Sequence, residues 1–224
     1  MSLMKRGMIF ITFFGSCLAM ALTIVSLGTK FWITSRAKRT SNPLESDGII
    51  NFGLFDGKKE LNVAYGWRSY DIDVLHLLKF EPEFMNYSIW LGTVVTVCGS
   101  LVFSALGAVF TIITVSRRSK YTKGSVKLYL WNFLALLSQI GAIILWLVQF
   151  YMKLQYNVLS REDKDNMWSS EGLSELGYSF WCVTGAAAAT LCNIFIICIA
   201  NSDDDVEQVI SVVEEKTNGA IMLY

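Results

Sequence analysis

The sequence predicts a mostly α membrane protein: a four-helix transmembrane bundle with a small exoplasmic β-sheet and a short helix formed by the first extracellular loop. Three observations predict it. Four strongly apolar stretches, at about 7–29, 84–116, 128–152 and 176–202, contain no Asp, Glu, Lys, Arg or His. The short connector between the second and third carries Arg117, Arg118, Lys120, Lys123 and Lys127 and no acid. Both prolines, Pro43 and Pro82, fall outside the stretches, so no ring interrupts a helix.

A bilayer core of about 30 Å needs about 20 apolar helical residues. One charge at a helix centre would cost about 2.5 to 3.5 kcal/mol, whereas each central Leu, Ile, Phe or Val favours insertion. The spans are therefore expected at about 8–29, 87–115, 128–152 and 177–201, within a single tetraspan domain covering 1–224. Lys5 and Arg6 ahead of a run ending in Ala19-Met20-Ala21 also have the outline of a cleavable signal peptide. The run continues through Leu22, Ile24, Val25 and Leu27, where a cleavage region would turn polar, so an uncleaved anchor fits better.

Short basic loops stay in the cytosol. The connector 116–127 is then cytosolic, as are both chain ends, and Lys5 and Arg6 agree. The acidic tail 203–224, with Asp203, Asp204, Asp205, Glu207, Glu214 and Glu215, is expected to be a solvated segment. Loops 30–86 and 153–176 fall on the exoplasmic side.

Charges in the long first loop balance, so it offers no single-signed face for nucleic acid. The run Ile49 to Phe55 reads as a strand, and Asp56-Gly57 after it as a tight hairpin turn. Further on, Asp71 or Asp73 can cap a short helix whose Ile72, Leu75, Leu77 and Leu78 face one way, and Pro82 stops it. Cys17, Cys98, Cys182, Cys192 and Cys198 all lie inside the spans, so no disulfide can staple the loop. Packing on the helix ends must hold it, with Trp32, Phe52, Phe55, Trp67, Tyr70 and Trp168 as candidates. For Phe31, Trp32, Trp90, Tyr178 and Trp181 a second reading stands equally, as anchors at the membrane interface.

Helices in lipid associate through close packing and a few hydrogen bonds. Gly15 and Ala19, then Ser100, Ser104 and Ala108, then Ser138 and Ala142, then Gly185 and Ala189 supply small faces. Asn132, Gln139, Gln149 and Asn193 are the large polar side chains at depth. Interhelical hydrogen bonds are their commonest use, and a permeation role is the alternative.

Catalytic chemistry has few candidates. His76 is the lone histidine, without a carboxylate or thiol at ligand spacing, and fits a packed or surface residue. There is no phosphate loop, nucleophile elbow or His-Glu-x-x-His motif. The spans also lack the ionisable residues and broken helices that transporters place at the midplane. The expectation is a non-enzyme with no cofactor, metal, nucleic-acid partner or small-molecule substrate.

Trp32 followed by Gly53-Leu54-Phe55 resembles the first-loop signature of claudin and peripheral-myelin-type tetraspans, without the cysteine pair that follows it in claudins. A fuller set of motifs is similar to the clarin family. These are Leu27 to Ile33, Phe52 to Gly57, Leu77-Leu78-Lys79 with Pro82, Leu128 to Asn132 including Trp131, Tyr178 to Trp181 including Phe180, and the terminal Met222-Leu223-Tyr224. The resemblance runs across the whole chain in family order. It implies a claudin-like fold and a plasma-membrane organiser of membrane, cytoskeletal or synaptic assemblies in sensory cells such as hair cells and photoreceptors. It also makes Trp32, Gly53, Leu54, Phe55, Trp131, Asn132, Phe180 and Trp181 a structural signature. An auxiliary channel subunit and a claudin-like junction or pore former are the alternatives.

On the cytosolic side, Met222 and Tyr224 suit capture of the free carboxylate by a PDZ groove, against the plainer reading of an unstructured end. The basic loop can attract anionic lipid. Cys198 is either an S-acylation site or an inert thiol. Asn86-Tyr87-Ser88 is an N-glycosylation sequon set at the mouth of the second span. Expected partners are membrane lipid, other membrane proteins such as channels or adhesion proteins, and PDZ or actin-linked scaffolds.

Overall fold

The computed structural model describes residues 3–62, 66–116 and 123–221. Its four long helices are α1 (Leu3–Gly28), α3 (Tyr87–Ser116), α4 (Lys123–Gln149) and α6 (Tyr178–Ile221). Their apolar parts, Met4–Gly28, Tyr87–Ser116, Val126–Leu154 and Tyr178–Ser202, are long enough to cross a membrane. Even the 25-residue spans rise about 38 Å at 1.5 Å per residue. Between α1 and α3 lie β1 (Ile33–Arg39), β2 (Gly48–Phe52), β3 (Asp56–Asn62), β4 (Trp67–Asp73) and α2 (Val74–Phe80). A π-helical turn, Phe150–Leu154, closes α4, and α5 (Arg161–Asp165), β5 (Trp168–Ser169) and β6 (Ser174–Leu176) precede α6.

The bundle is organised by a spacing that alternates three and four residues. Buried positions include 9, 12, 16, 19, 23 and 26 on α1, and 90, 93, 97, 100, 104, 107 and 111 on α3. On α4 they include 128, 132, 135, 139, 142, 146 and 149, and on α6 179, 183, 186, 190, 193, 197 and 200. A seven-residue repeat of inward positions keeps one seam facing the neighbours, as in left-handed coiled coils. α1 packs on α3 and α6, and α4 packs on the same two. The small faces expected from Ala19, Ser100, Ser104, Ala108 and Ala142 lie on or beside these seams and are buried. The lipid-facing sides carry Phe14, Val95, Phe133 and Phe195.

The sheet order is β4-β3-β2-β1-β5, and β6 also pairs with β1. All pairings are antiparallel. The second connector therefore contributes two short strands to a sheet that the sequence assigned to the first loop alone. β1 alternates strictly over its first six residues, burying Ile33, Ser35 and Ala37, and β2 buries Gly48, Ile50 and Phe52. One face of the sheet thus packs down on Trp32, Phe84, Trp90, Trp146, Phe150 and Phe180.

Three local expectations are corrected. The hairpin is present, but Asp56 and Gly57 open β3, with Phe52 opposite Gly57. The reversal occupies Gly53-Leu54-Phe55, where the Gly53 N–H donates to the Asp56 carbonyl at 2.7 Å. Gly57 is needed because a Cβ there would press on the Phe52 side chain, not because of a turn conformation. In α2, Asp73 is the cap, accepting from the His76 N–H at 3.1 Å, and Val74 and Leu78 are the buried pair. Leu75 is exposed: it lies one position from Val74, about 100° around the helix. Trp67 and Tyr70 are exposed on β4, the edge strand, so they do not join the packing layer. The acidic segment is helical: α6 runs past its span to Ile221, with no Gly or Pro from 186 to 218 to stop it.

Candidate functional site: the joint between sheet and bundle

α1 ends at Gly28, leaving its last carbonyls without helical partners. The Trp32 indole N–H donates to the Ser26 carbonyl at 2.8 Å, and the Thr29 hydroxyl donates to the Val25 carbonyl at 2.7 Å. Trp32 is fully buried, and its ring meets Trp146 of α4 edge-on at 4.8 Å. Its backbone N–H donates to the Phe52 carbonyl, and its own carbonyl accepts from Gly177, each at 3.0 Å. One residue thus caps the first span, joins the sheet and reaches the fourth. The Ser179 N–H, an orphan donor in the first turn of α6, is satisfied by the Phe31 carbonyl at 3.0 Å.

The Gly53-Leu54-Phe55 reversal sits on this cap. A side chain on Gly53 would collide with the Thr29 carbonyl, so the close approach requires glycine. Leu54 is buried, and its carbonyl accepts the Trp90 indole N–H at 2.8 Å. Phe55 meets the same Trp90 ring edge-on at 6.3 Å. Trp32 and Trp90 are therefore buried hydrogen-bonding residues rather than interface anchors. Tyr178 and Trp181 are exposed at the head of α6, with Phe31 stacked on Tyr178 at 4.9 Å.

The second connector is tied in by charge. The Lys59 ammonium on β3 contacts both carboxylate oxygens of Asp163 on α5, at 2.6 and 2.5 Å, in a largely buried pair. Asp163 also accepts from the Ser160 hydroxyl at 2.6 Å. Lys153 donates to the Pro82 carbonyl at 2.8 Å, and Glu81 accepts from the Arg161 N–H at 2.8 Å. Lys58, by contrast, is solvent-exposed; its hydrogen bond and proximity to Glu60 push its pKa up. That pairing is present below the ordinary lysine range and lost as pH rises through the raised value, far above neutral.

Apart from exposed Trp181, the signature residues occupy two places. Trp32, Gly53, Leu54, Phe55 and Phe180 meet at the joint. Trp131 and Asn132 lie deeper, Trp131 between Phe103 and Phe110 at 6.2 and 5.7 Å. Asn132 donates to its own Leu128 carbonyl at 2.9 Å and accepts from Asn193 of α6 at 3.4 Å. Asn193 also donates to Ser16 of α1 at 3.2 Å, packed so closely that a Cβ on Gly15 would overlap its amide. Gln139 and Gln149, expected to bond across helices in the same way, are fully buried and have no partner on either polar atom among the described residues.

Asn86 is exposed and its side chain accepts from the Ser88 N–H at 3.1 Å, capping α3. His76 is exposed with its ring against Phe80 at 4.5 Å. All five cysteines are free thiols, and Cys198 is exposed. Among the described residues no group of three or more His, Cys, Asp or Glu could hold a metal. Met222 and Tyr224, and the basic residues from Arg117 to Lys120, lie outside the described residues.

Four apolar helices capped by one small antiparallel sheet define a claudin-like tetraspan membrane protein. No protein-family model matches the chain. It is 25% identical to rat (Rattus norvegicus) Clarin-3 over 187 residues, 80% of each chain, and 26% identical to mouse (Mus musculus) Clarin-3 over 185 residues, 79% of each. The chain is a clarin-like tetraspan, and these matches support its membership of the clarin family.

Proposed function

We propose that the chain is a non-enzymatic organiser at the plasma membrane, with both termini cytosolic, and that it gathers membrane, cytoskeletal or synaptic assemblies in sensory cells. The observation that carries this reading is the joint. Hydrogen bonds from Trp32 and Trp90, the Lys59–Asp163 pair and a shared apolar core seat the sheet on the bundle. Such a seat lets an exoplasmic contact move with the spans. The free edge strand β4, bearing exposed Trp67 and Tyr70, is the natural exoplasmic contact, because edge strands present unpaired backbone groups. Inside the cell, the side chains of Met222 and Tyr224 suit the pockets of a PDZ groove on an actin-linked scaffold, and Cys198 offers a site for acylation.

Proximity labelling in sensory cells tests the reading. Channel, adhesion or cytoskeletal proteins should be enriched, and removal of residues 222–224 should deplete the scaffold class while leaving the others. Enrichment of none of the three classes would contradict it.

A further inference from the structure

The seven-residue seams turn polar groups toward the bundle axis on every span. In one half of the bundle these groups satisfy one another: Asn193 with Ser16 and Asn132, and Thr12 beside Thr111 at 3.5 Å. Others are not satisfied. Toward the sheet, Ser26 Oγ, Trp146 Nε1 and both polar atoms of Gln149 lack any hydrogen-bond partner among the described residues, as do both polar atoms of Gln139 and Ser104 Oγ deeper in the bundle. All five side chains are at most 4% exposed. Lipid supplies no hydrogen bonds, and buried polar groups are almost always paired, so these need a common explanation.

Three of them lie toward the sheet end of the bundle. Trp32 donates to the Ser26 carbonyl and lies against Trp146, and Gln149 follows Trp146 by one turn on the same seam. The chemistry of the set selects its occupant. An indole N–H only donates, an amide and a hydroxyl both donate and accept, and no charge is present. A cation would find too few oxygens, and an anion no positive group. Water both donates and accepts and is held by about two to four such partners. We propose that the bundle binds internal water between Ser26, Trp146 and Gln149, with a further water at Gln139 deeper along the same axis. These groups then hold water instead of bonding across helices.

Hydroxyl-radical footprinting of the full chain in lipid nanodiscs tests this, because radicals formed from bound water oxidise the side chains that hold it. By surface alone Trp90, at 4%, should react at least as fast as Trp146, at 0%. The proposal requires the reverse, because the Trp90 indole is already bonded to the Leu54 carbonyl. Oxidation of Trp146 should exceed that of Trp90 severalfold, and should fall to the Trp90 level in Gln149→Met, with exposed Trp67 unchanged as the dose control. A wild-type Trp146 no faster than Trp90 would overturn the proposal, as would a rate that Gln149→Met leaves unmoved. Should that variant not fold, the wild-type ratio decides alone.

Discussion

Trp32→Phe isolates the cap at the centre of the joint. Phenylalanine keeps a ring against Trp146 and most of the buried surface, but it removes the N–H that satisfies the Ser26 carbonyl at 2.8 Å. A buried acceptor left without its donor costs about 1 to 3 kcal/mol. For a chain of this size that corresponds to about 2 to 4 °C per kcal/mol, so the melting midpoint should fall by about 2 to 12 °C. Trp32→Ala adds the loss of a large buried side chain, about 3 to 5 kcal/mol more, and should prevent recovery of folded protein. Thermal unfolding in one fixed detergent, read by size-exclusion of a fluorescent fusion, compares the variants on equal terms. Trp181→Phe is the control, because Trp181 is exposed and should change stability by less than about 0.5 kcal/mol. A Trp32→Phe protein as stable as wild type, or no worse than Trp181→Phe, would refute the cap argument.

Other substitutions probe the remaining ties. Asp163→Asn should destabilise by about 1.5 to 3 kcal/mol, the worth of a charge-assisted bond, while replacing Lys59 and Asp163 together by Met and Leu should recover most of the loss in the same melting assay. Gly15→Ala should destabilise strongly through overlap with the Asn193 amide, and Asn193→Ala should rescue it; simple additivity of the two would contradict the contact. Trp67→Ser with Tyr70→Ser should leave stability within about 0.5 kcal/mol of wild type yet weaken capture of the proposed exoplasmic partners, since both residues are exposed on the edge strand.

The spans were legible because lipid imposes length and apolarity on each helix separately, and the four stretches meet both conditions. The hairpin was legible in outline, but its turn was misplaced. Asp56-Gly57 has the composition of a tight turn, whereas close approach to the Thr29 carbonyl fixes glycine at Gly53 and puts the reversal there. The seven-residue seams were present in the order of Ser, Thr, Ala, Asn and Gln along each span, yet a search for small residues four apart sees only fragments of them. No local signal marked Asp163 as the partner of Lys59, 104 positions away, or Ser26 as the acceptor for Trp32. Those pairings exist only once both connectors fold over the helix ends. The two strands of the second connector were missed for a related reason: at two and three residues they show no period of their own and form by pairing with β1.

The proposed threading of the chain, with the sheet outside the cell and both ends within it, can be measured directly on living cells. Leu44, fully exposed between β1 and β2, would be replaced by cysteine in a chain carrying an amino-terminal epitope, and intact cells treated with a membrane-impermeant maleimide. The account predicts labelling above the native-cysteine background without permeabilisation, and antibody access to the epitope only after it. An epitope reached on intact cells while position 44 stays unlabelled would contradict it.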